Sequence, residues 1–357
     1  MKASDSSREP SVVITGASAG IGRATAIAFA NRGWSIGLIA RGRERLHGAE
    51  RDVERAGGRV LVLPADVANA SAIDEAASRA AKAFGKIDVW VNNAMATVYS
   101  PIATITAEEI RRITEVTYLG QVHGTLAALR YMRPRNQGTI VQVGSALAYR
   151  PIPLQSGYCA AKFAVRGFTD ALRCELLHEQ SRIRLTMVQL PAVDTPQFDW
   201  ARSRLPRRLQ PVPPIHAPET VAEAIFRAAV EAPRELWVGG PTVKAILGSF
   251  AAPALLDRLA AERAWRGQMT DEPARARPDN LFDAPPGDPG THGRFGNRSC
   301  RHVSAVSEAG ARTILVVTAL GAGAGIAALG FMLGVRNRRP RAIARKRGAP
   351  DALFEPW

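Results

Sequence analysis

Tyr158 and Lys162 stand four positions apart in YCAAK (158–162), and Ser145 closes an apolar run thirteen positions before the tyrosine. Four positions is about one helical turn, so on a helix the phenol and the ammonium share a face. A phenol titrates near ~10 in water and is a poor base at neutral pH. A neighbouring ammonium stabilises the phenolate and lowers that value. The tyrosine can then exchange a proton with a carbonyl or alcohol oxygen. Ser145 can hydrogen-bond the same oxygen and polarise it. The chain has five tyrosines and six lysines, so a lysine four after some tyrosine is roughly a one-in-ten accident. The weight therefore rests on what accompanies the pair.

One companion is the turn Thr15-Gly16-Ala17-Ser18-Ala19-Gly20-Ile21-Gly22, which follows the apolar run SVVIT (11–15) and opens a helical pattern. Gly16 permits the tight turn, Gly20 lets the backbone approach a pyrophosphate, and Gly22 lets the helix pack against the strand. A helix N-terminus there offers unpaired N–H groups and a partial positive charge to phosphates. The second apolar run ends at Ile39-Ala40-Arg41 with no acid to hold a ribose 2′-hydroxyl. Arg41 and Arg43 instead offer charge to a 2′-phosphate, which favours NADP over NAD. Arg43 reads equally well as the opening of an exposed helix. Asp66, with Val67 beside it, follows the third run; its carboxylate can accept from an adenine amino group or simply begin a helix.

These residues need a scaffold, and the pattern supplies one. Apolar runs at 11–15, 34–40, 59–64, 87–93, 139–144, 184–191 and 235–239 lack polar alternation, as strands buried on both faces do. Helical periodicity fills 20–32, 43–56, 71–84, 106–132, 155–180 and 217–232. Strand–helix alternation of this kind predicts an α/β fold, a doubly wound parallel sheet of seven strands of the Rossmann type. A ligand then belongs at the carboxyl ends of the strands.

TGASAGIG, Asn92-Asn93-Ala94, Ser145 and YCAAK together resemble the short-chain dehydrogenase/reductase family over about residues 11–240. The resemblance implies hydride transfer between the nicotinamide and a substrate carbon, with Tyr158 as general acid/base. It implies that Lys162 also holds the nicotinamide ribose, and that Asn92 sits near the adenine ribose and stabilises the central sheet. Pro191 and Thr195, in LPAVDT, would lie near the nicotinamide and its carboxamide. Two departures stand out. Thr117 occupies the place where the family often has an asparagine supporting a proton-relay water, and Ala192 follows Pro191 where glycine is frequent. The resemblance also implies a small carbonyl or alcohol substrate and a homo-oligomer. A tethered NADP-binding protein with little turnover, or an epimerase or dehydratase on the same fold, stays open beside the oxidoreductase reading.

The segment after Pro191 carries Phe198, Trp200 and Leu205, which suit an apolar substrate, and Arg202, Arg204, Arg207 and Arg208, which could bind an acid or form a solvated face. The net charge is +15. The basic clusters lack the interleaved aromatics of a single-strand-binding groove, so no nucleic-acid partner is expected. Cys159, Cys174 and Cys300 are few and without metal-like spacing, which suggests neither zinc nor a disulfide framework and fits a reducing cytosol. Residues 1–10 are polar and do not read as a signal peptide. The catalytic domain is expected to span 11–252. Beyond it, 253–312 reads as a short helix and a Pro/Gly-rich flexible linker. Residues 313–335 contain an uncharged stretch, Ile314–Val335, expected to associate with a membrane, and 336–357 form a basic tail. The enzyme domain is thus expected in the cytoplasm, held at a membrane by its C-terminal helix.

Overall fold

The computed structural model describes residues 9–311 and 313. The chain divides into two units, Met1–Glu308 and Ala309–Trp357. The expected membrane segment and the basic tail lie outside the described residues. Among the described residues no helix is long and apolar enough to cross a membrane.

All seven expected strands form: β1 (Ser11–Thr15), β2 (Ser35–Ala40), β3 (Arg59–Pro64), β4 (Val89–Asn92), β5 (Gly138–Val143), β6 (Ile183–Gln189) and β7 (Glu235–Val238). They pair in the order β3-β2-β1-β4-β5-β6-β7, every pair parallel. The order reverses direction at β1, leaving a crevice beyond the carboxyl ends of β1 and β4, where ligands of such sheets bind. Strands β1 and β5 are buried along their whole length, which is why their sequences read as unbroken apolar runs.

Helices cover both faces. On one side α1 (Gly20–Ala30), α2 (Arg43–Arg55) and α7 (Pro218–Glu231) bury Phe29, Leu46, Val53, Val221 and Ile225 against the sheet. On the other, α3 (Ala70–Phe84), α4 (Ala107–Thr114), α5 (Gly120–Met132) and α6 (Ser156–His178) bury Ile73, Ile113, Leu129 and Leu172. A wider π-type turn, Glu115–Leu119, joins α4 to α5.

The region after Ala252 departs from the expected linker. Strand β8 (Ala305–Ser307) adds antiparallel to β7 and becomes the sheet's eighth strand. Residues 279–290 fold back across the carboxyl edge of the sheet. Leu281 is fully buried in the α3–α6 layer, worth roughly 1.5–3 kcal/mol of apolar burial. Its Pro and Gly content does prevent regular structure here, but its backbone carbonyls remain acceptors. Arginines from the domain satisfy them: Arg41 donates to Asn280 O at 2.6 Å and Phe282 O at 2.5 Å, Arg112 to Leu281 O at 3.0 Å, and Arg45 to Gly287 O at 3.1 Å. The compact unit therefore extends through Glu308, not to Ala252.

Candidate active site

Two adjoining cavities open at the carboxyl ends of the strands, sharing Ile21, Asn93, Met95, Thr195 and Gln197 in their walls. The first is a cleft of about 180 Å³. Its floor is the glycine turn. Gly16 (φ +67°) and Gly20 (φ +53°) hold left-handed backbone that favours glycine. A Cβ on Gly22 would stand 2.3 Å from Gly16 O, so the helix start can approach the strand only without a side chain. Gly16, Ser18, Gly20, Ile21, Gly22, Arg41, Asp66, Val67 and Ala94 all line this cleft.

Several details differ. Asn92 faces away from the cleft: it receives the Trp90 indole at 2.9 Å and donates to Thr125 and Gln142, each at 3.0 Å. Its amide is wholly used in tying strands to α5, and Asn93 lines the cleft instead. Arg43 is exposed at the start of α2, whereas Arg45, which the sequence did not single out, lines the cleft with its guanidinium 4.4 Å over the Trp200 ring. Asp66 already receives Arg112 at 2.5 Å and the Ala68 N–H at 2.9 Å.

The second cavity, about 280 Å³, joins Ser145, Tyr158, Lys162, Pro191 and Thr195. Ser145 accepts from the Leu147 N–H at 3.1 Å, which leaves its own proton free to donate. Burial raises the affinity of the Tyr158 phenol for its proton, and the neighbouring Ser145 hydroxyl works against the rise. The Lys162 ammonium lies 5.6 Å from the Tyr158 ring centroid and donates to Val143 O at 2.6 Å. Burial pushes it down to about 7, because a desolvated ammonium is costly.

Thr117 is not in either wall. Its hydroxyl donates to Ala96 O and accepts from Ala96 N, both at 2.9 Å. That proton is committed to bracing the loop after β4, so the hydroxyl has none to pass to a relay water. The expected relay role finds no support in this geometry.

Behind Ser145 lies a buried polar network absent from the sequence reading. Gln189 accepts from the Ser145 N–H at 2.9 Å and donates to Glu235 at 3.3 Å. Glu235 also receives Tyr149 at 2.8 Å and Trp237 at 2.9 Å. A carboxylate only accepts, so Gln189 must turn its amino group to Glu235 and its oxygen to Ser145. Gly144 makes room, since a Cβ there would meet that oxygen at 2.4 Å. No local motif announces such a network, because its members come from three separate strands or strand ends.

Apart from Lys162, no side chain lining the second cavity carries a formal charge at neutral pH. Tyr99, Leu147, Ile152, Phe198 and Val212 give its wall much of its apolar character, with Gln155 and Gln268 as a buried amide pair bonded at 2.9 Å. The arginines after Pro191 are paired elsewhere: Arg202 and Arg204 with Glu109, Arg207 with Asp271, and Arg208 with Glu272 and Asp199.

Residues 10–205 match the short chain dehydrogenase family. The chain belongs to the short-chain dehydrogenase/reductase family. A Bacillus subtilis protein described as uncharacterized oxidoreductase YxnA is 33% identical over 278 residues, covering 76% of this chain and 78% of that protein. Human dehydrogenase/reductase SDR family member 7 is 38% identical over 172 residues, 46% of this chain and half the length of that relative. Among solved structures, an alcohol dehydrogenase from Thermococcus sibiricus complexed with 5-hydroxy-NADP aligns with a TM-score of 0.55 at 28% identity, over 64% of this chain and 95% of that one. A metagenomic short-chain oxidoreductase in complex with NADP aligns with a TM-score of 0.52 at 25% identity, over 62% and 90%. The oxidoreductase class and the Rossmann architecture follow from this membership.

Proposed function

We propose that the protein is an NADP-dependent oxidoreductase that interconverts a neutral, apolar ketone or aldehyde and its alcohol, with Tyr158 as the proton-transfer group. The observation that carries this reading is Ser145, Tyr158 and Lys162 in the wall of a cavity otherwise free of formal charge, continuous with a glycine-floored cleft. The residues present fit a nicotinamide dinucleotide. The glycine turn admits a pyrophosphate, Arg41 and Arg45 bring positive charge to the ribose end, and Thr195 and Pro191 border the inner end where the two cavities meet. When bound, the dinucleotide supplies or accepts the hydride. The solved relatives in complex with NADP or 5-hydroxy-NADP support NADP here.

In the reductive direction, Tyr158 gives its proton to the carbonyl oxygen as negative charge builds there, and Ser145 donates a second hydrogen bond to that oxygen. Lys162 holds the emerging phenolate by its charge. The cavity wall offers no guanidinium for a carboxylate or phosphate, and desolvating either group there would cost several kcal/mol. Selection therefore favours substrates without formal charge.

The test is a panel of carbonyl compounds read at the nicotinamide absorbance, with NADPH and NADH compared. Neutral apolar ketones should turn over with NADPH and carboxylated analogues should not. Tyr158→Phe should reduce turnover by about 10²- to 10⁴-fold while NADPH still binds with nearly unchanged affinity. Retained turnover in that variant would sink the mechanism.

A further inference from the structure

The segment 279–290 forms a third wall of the dinucleotide cleft. Asn280, Ala284 and Pro285 line it together with the glycine turn and the ends of β2 and β3. The strap is pinned at both ends. Asn280 donates its backbone N–H to Trp200 O at 3.0 Å, and Gly290 O accepts from Gly20 N–H at 3.1 Å. Between them Asp288 pairs with Arg23, a buried residue of α1 that also holds Asp52 at 2.7 Å.

Within this tightly bonded strap one buried side-chain polar atom has no partner. The side-chain oxygen of Asn280 is buried and accepts no hydrogen bond. Its surroundings are otherwise satisfied: Arg41 is bonded to strap carbonyls, and Asp66 is held by Arg112. A buried amide oxygen left unpaired costs about 1–3 kcal/mol, and native proteins seldom leave one without cause. The residue that carries it lines a cleft whose floor is built for phosphates and whose sides end β2 and β3. In a cleft of this topology that region receives the adenosine half of a dinucleotide.

The geometry points to Asn280 as a cofactor-contact residue: its carboxamide hydrogen-bonds a donor on the adenosine half, and the strap that carries it completes the site. This rests on the dinucleotide reading above. It assigns a binding role to a segment far outside the glycine turn, in a region whose composition resembles a linker.

The experiment is fluorescence titration of the full-length protein with NADPH, paired with competition by 2′,5′-ADP, which carries the adenosine half and no nicotinamide. Asn280→Leu should weaken both ligands by about 3- to 10-fold, the size of one ordinary hydrogen bond. Asn280→Ala, which removes the carboxamide without adding bulk, should do the same, with melting temperatures of both variants reported alongside. If both variants bind NADPH and 2′,5′-ADP as the parent does, the inference is overturned. A loss confined to NADPH, with 2′,5′-ADP unchanged, overturns it as well. A parent protein that binds no nicotinamide dinucleotide overturns the proposed function itself, which keeps the two failures apart.

Discussion

At the scale of single residues, the ionisation of Lys162 has the clearest consequence. Burial holds this ammonium at about 7, from an ordinary value of 10.5. Below about pH 7 it is charged and can support a phenolate forming at Tyr158; above that it loses its proton and the support. Carbonyl reduction should therefore slow as pH rises from 6 to 8.5, with the midpoint of kcat/KM for the dinucleotide near the Lys162 value, since that ratio reports the free enzyme. The effect on stability has the opposite sign. Between about 7 and 10.5 the unfolded chain binds a proton at this lysine that the folded one does not, so its contribution to stability grows as pH rises through that window. A rate profile flat from pH 6 to 8.5 would remove Lys162 from the proton-transfer set. The meeting of Ser145, Tyr158 and Lys162 in one cavity was legible in sequence because helical spacing fixes two of them on one face. For Asn92 the sheet-bracing role was legible and its direction away from the cleft was not, and for Thr117 only the position was, because the direction of a side chain depends on partners remote in sequence. Asn92 turns to Gln142, fifty residues on, and Thr117 to Ala96.

At the scale of elements, Glu109 shows how the site is held from outside. It closes a capping box at the start of α4, receiving the Thr106 N–H at 2.9 Å while Thr106 accepts from the Glu109 N–H at 3.2 Å. The same carboxylate, almost fully buried, takes Arg204 in two bonds of 2.8 Å and Arg202 at 3.2 Å. Arg202 continues to Asp279 at 2.8 Å, at the root of the strap. One acid thus joins α4, the segment beside the second cavity and the strap over the cleft. Burial alone would raise its carboxyl; the Arg204 bond, the Thr106 N–H and Arg202 overcome this and hold it at about 2. A lowered carboxyl contributes stability that is complete above about 4.5 and is lost as pH falls towards about 2. Glu109→Gln should then destabilise the fold by about 3 kcal/mol at pH 7, and by clearly less at pH 3. Urea melts at the two pH values check this, and an equal loss at both would show that the charge is not what matters. Thr106-x-x-Glu109 carries the capping-box pattern, but nothing in it signals the second use, because the arginines that reuse the carboxylate stand more than ninety residues away.

At the scale of the whole molecule, the seven parallel strands and the helices between them followed from periodicity alone, since parallel strands buried on both faces leave an uninterrupted apolar signature. The end of the domain did not. Residues 271–298 contain few large apolar groups and much Pro and Gly, so they lack the pattern that marks a packed element. They are held instead by backbone acceptors, one buried leucine and arginines on the body of the fold, none of which has a periodicity. A chain ending at Ala252 would lose β8, Gln268 from the second cavity, and the strap with Asn280, Leu281 and Asp288. Arg23, whose side chain is only 5% exposed, would keep Asp52 and lose its other carboxylate. Leaving charge buried with fewer partners is costly, and the Leu281 burial is forfeited with it. Such a chain should melt on the order of 10 °C lower than the full-length protein and bind NADPH more weakly by at least about tenfold. A chain ending at Glu308 retains every one of these contacts and should match the full-length protein in both measurements. Thermal melts and NADPH titrations of the three lengths decide the matter. If the chain ending at Ala252 equals the other two, the strap and the eighth strand are ornaments on a domain complete without them; if it alone falls, the functional unit is the longer one.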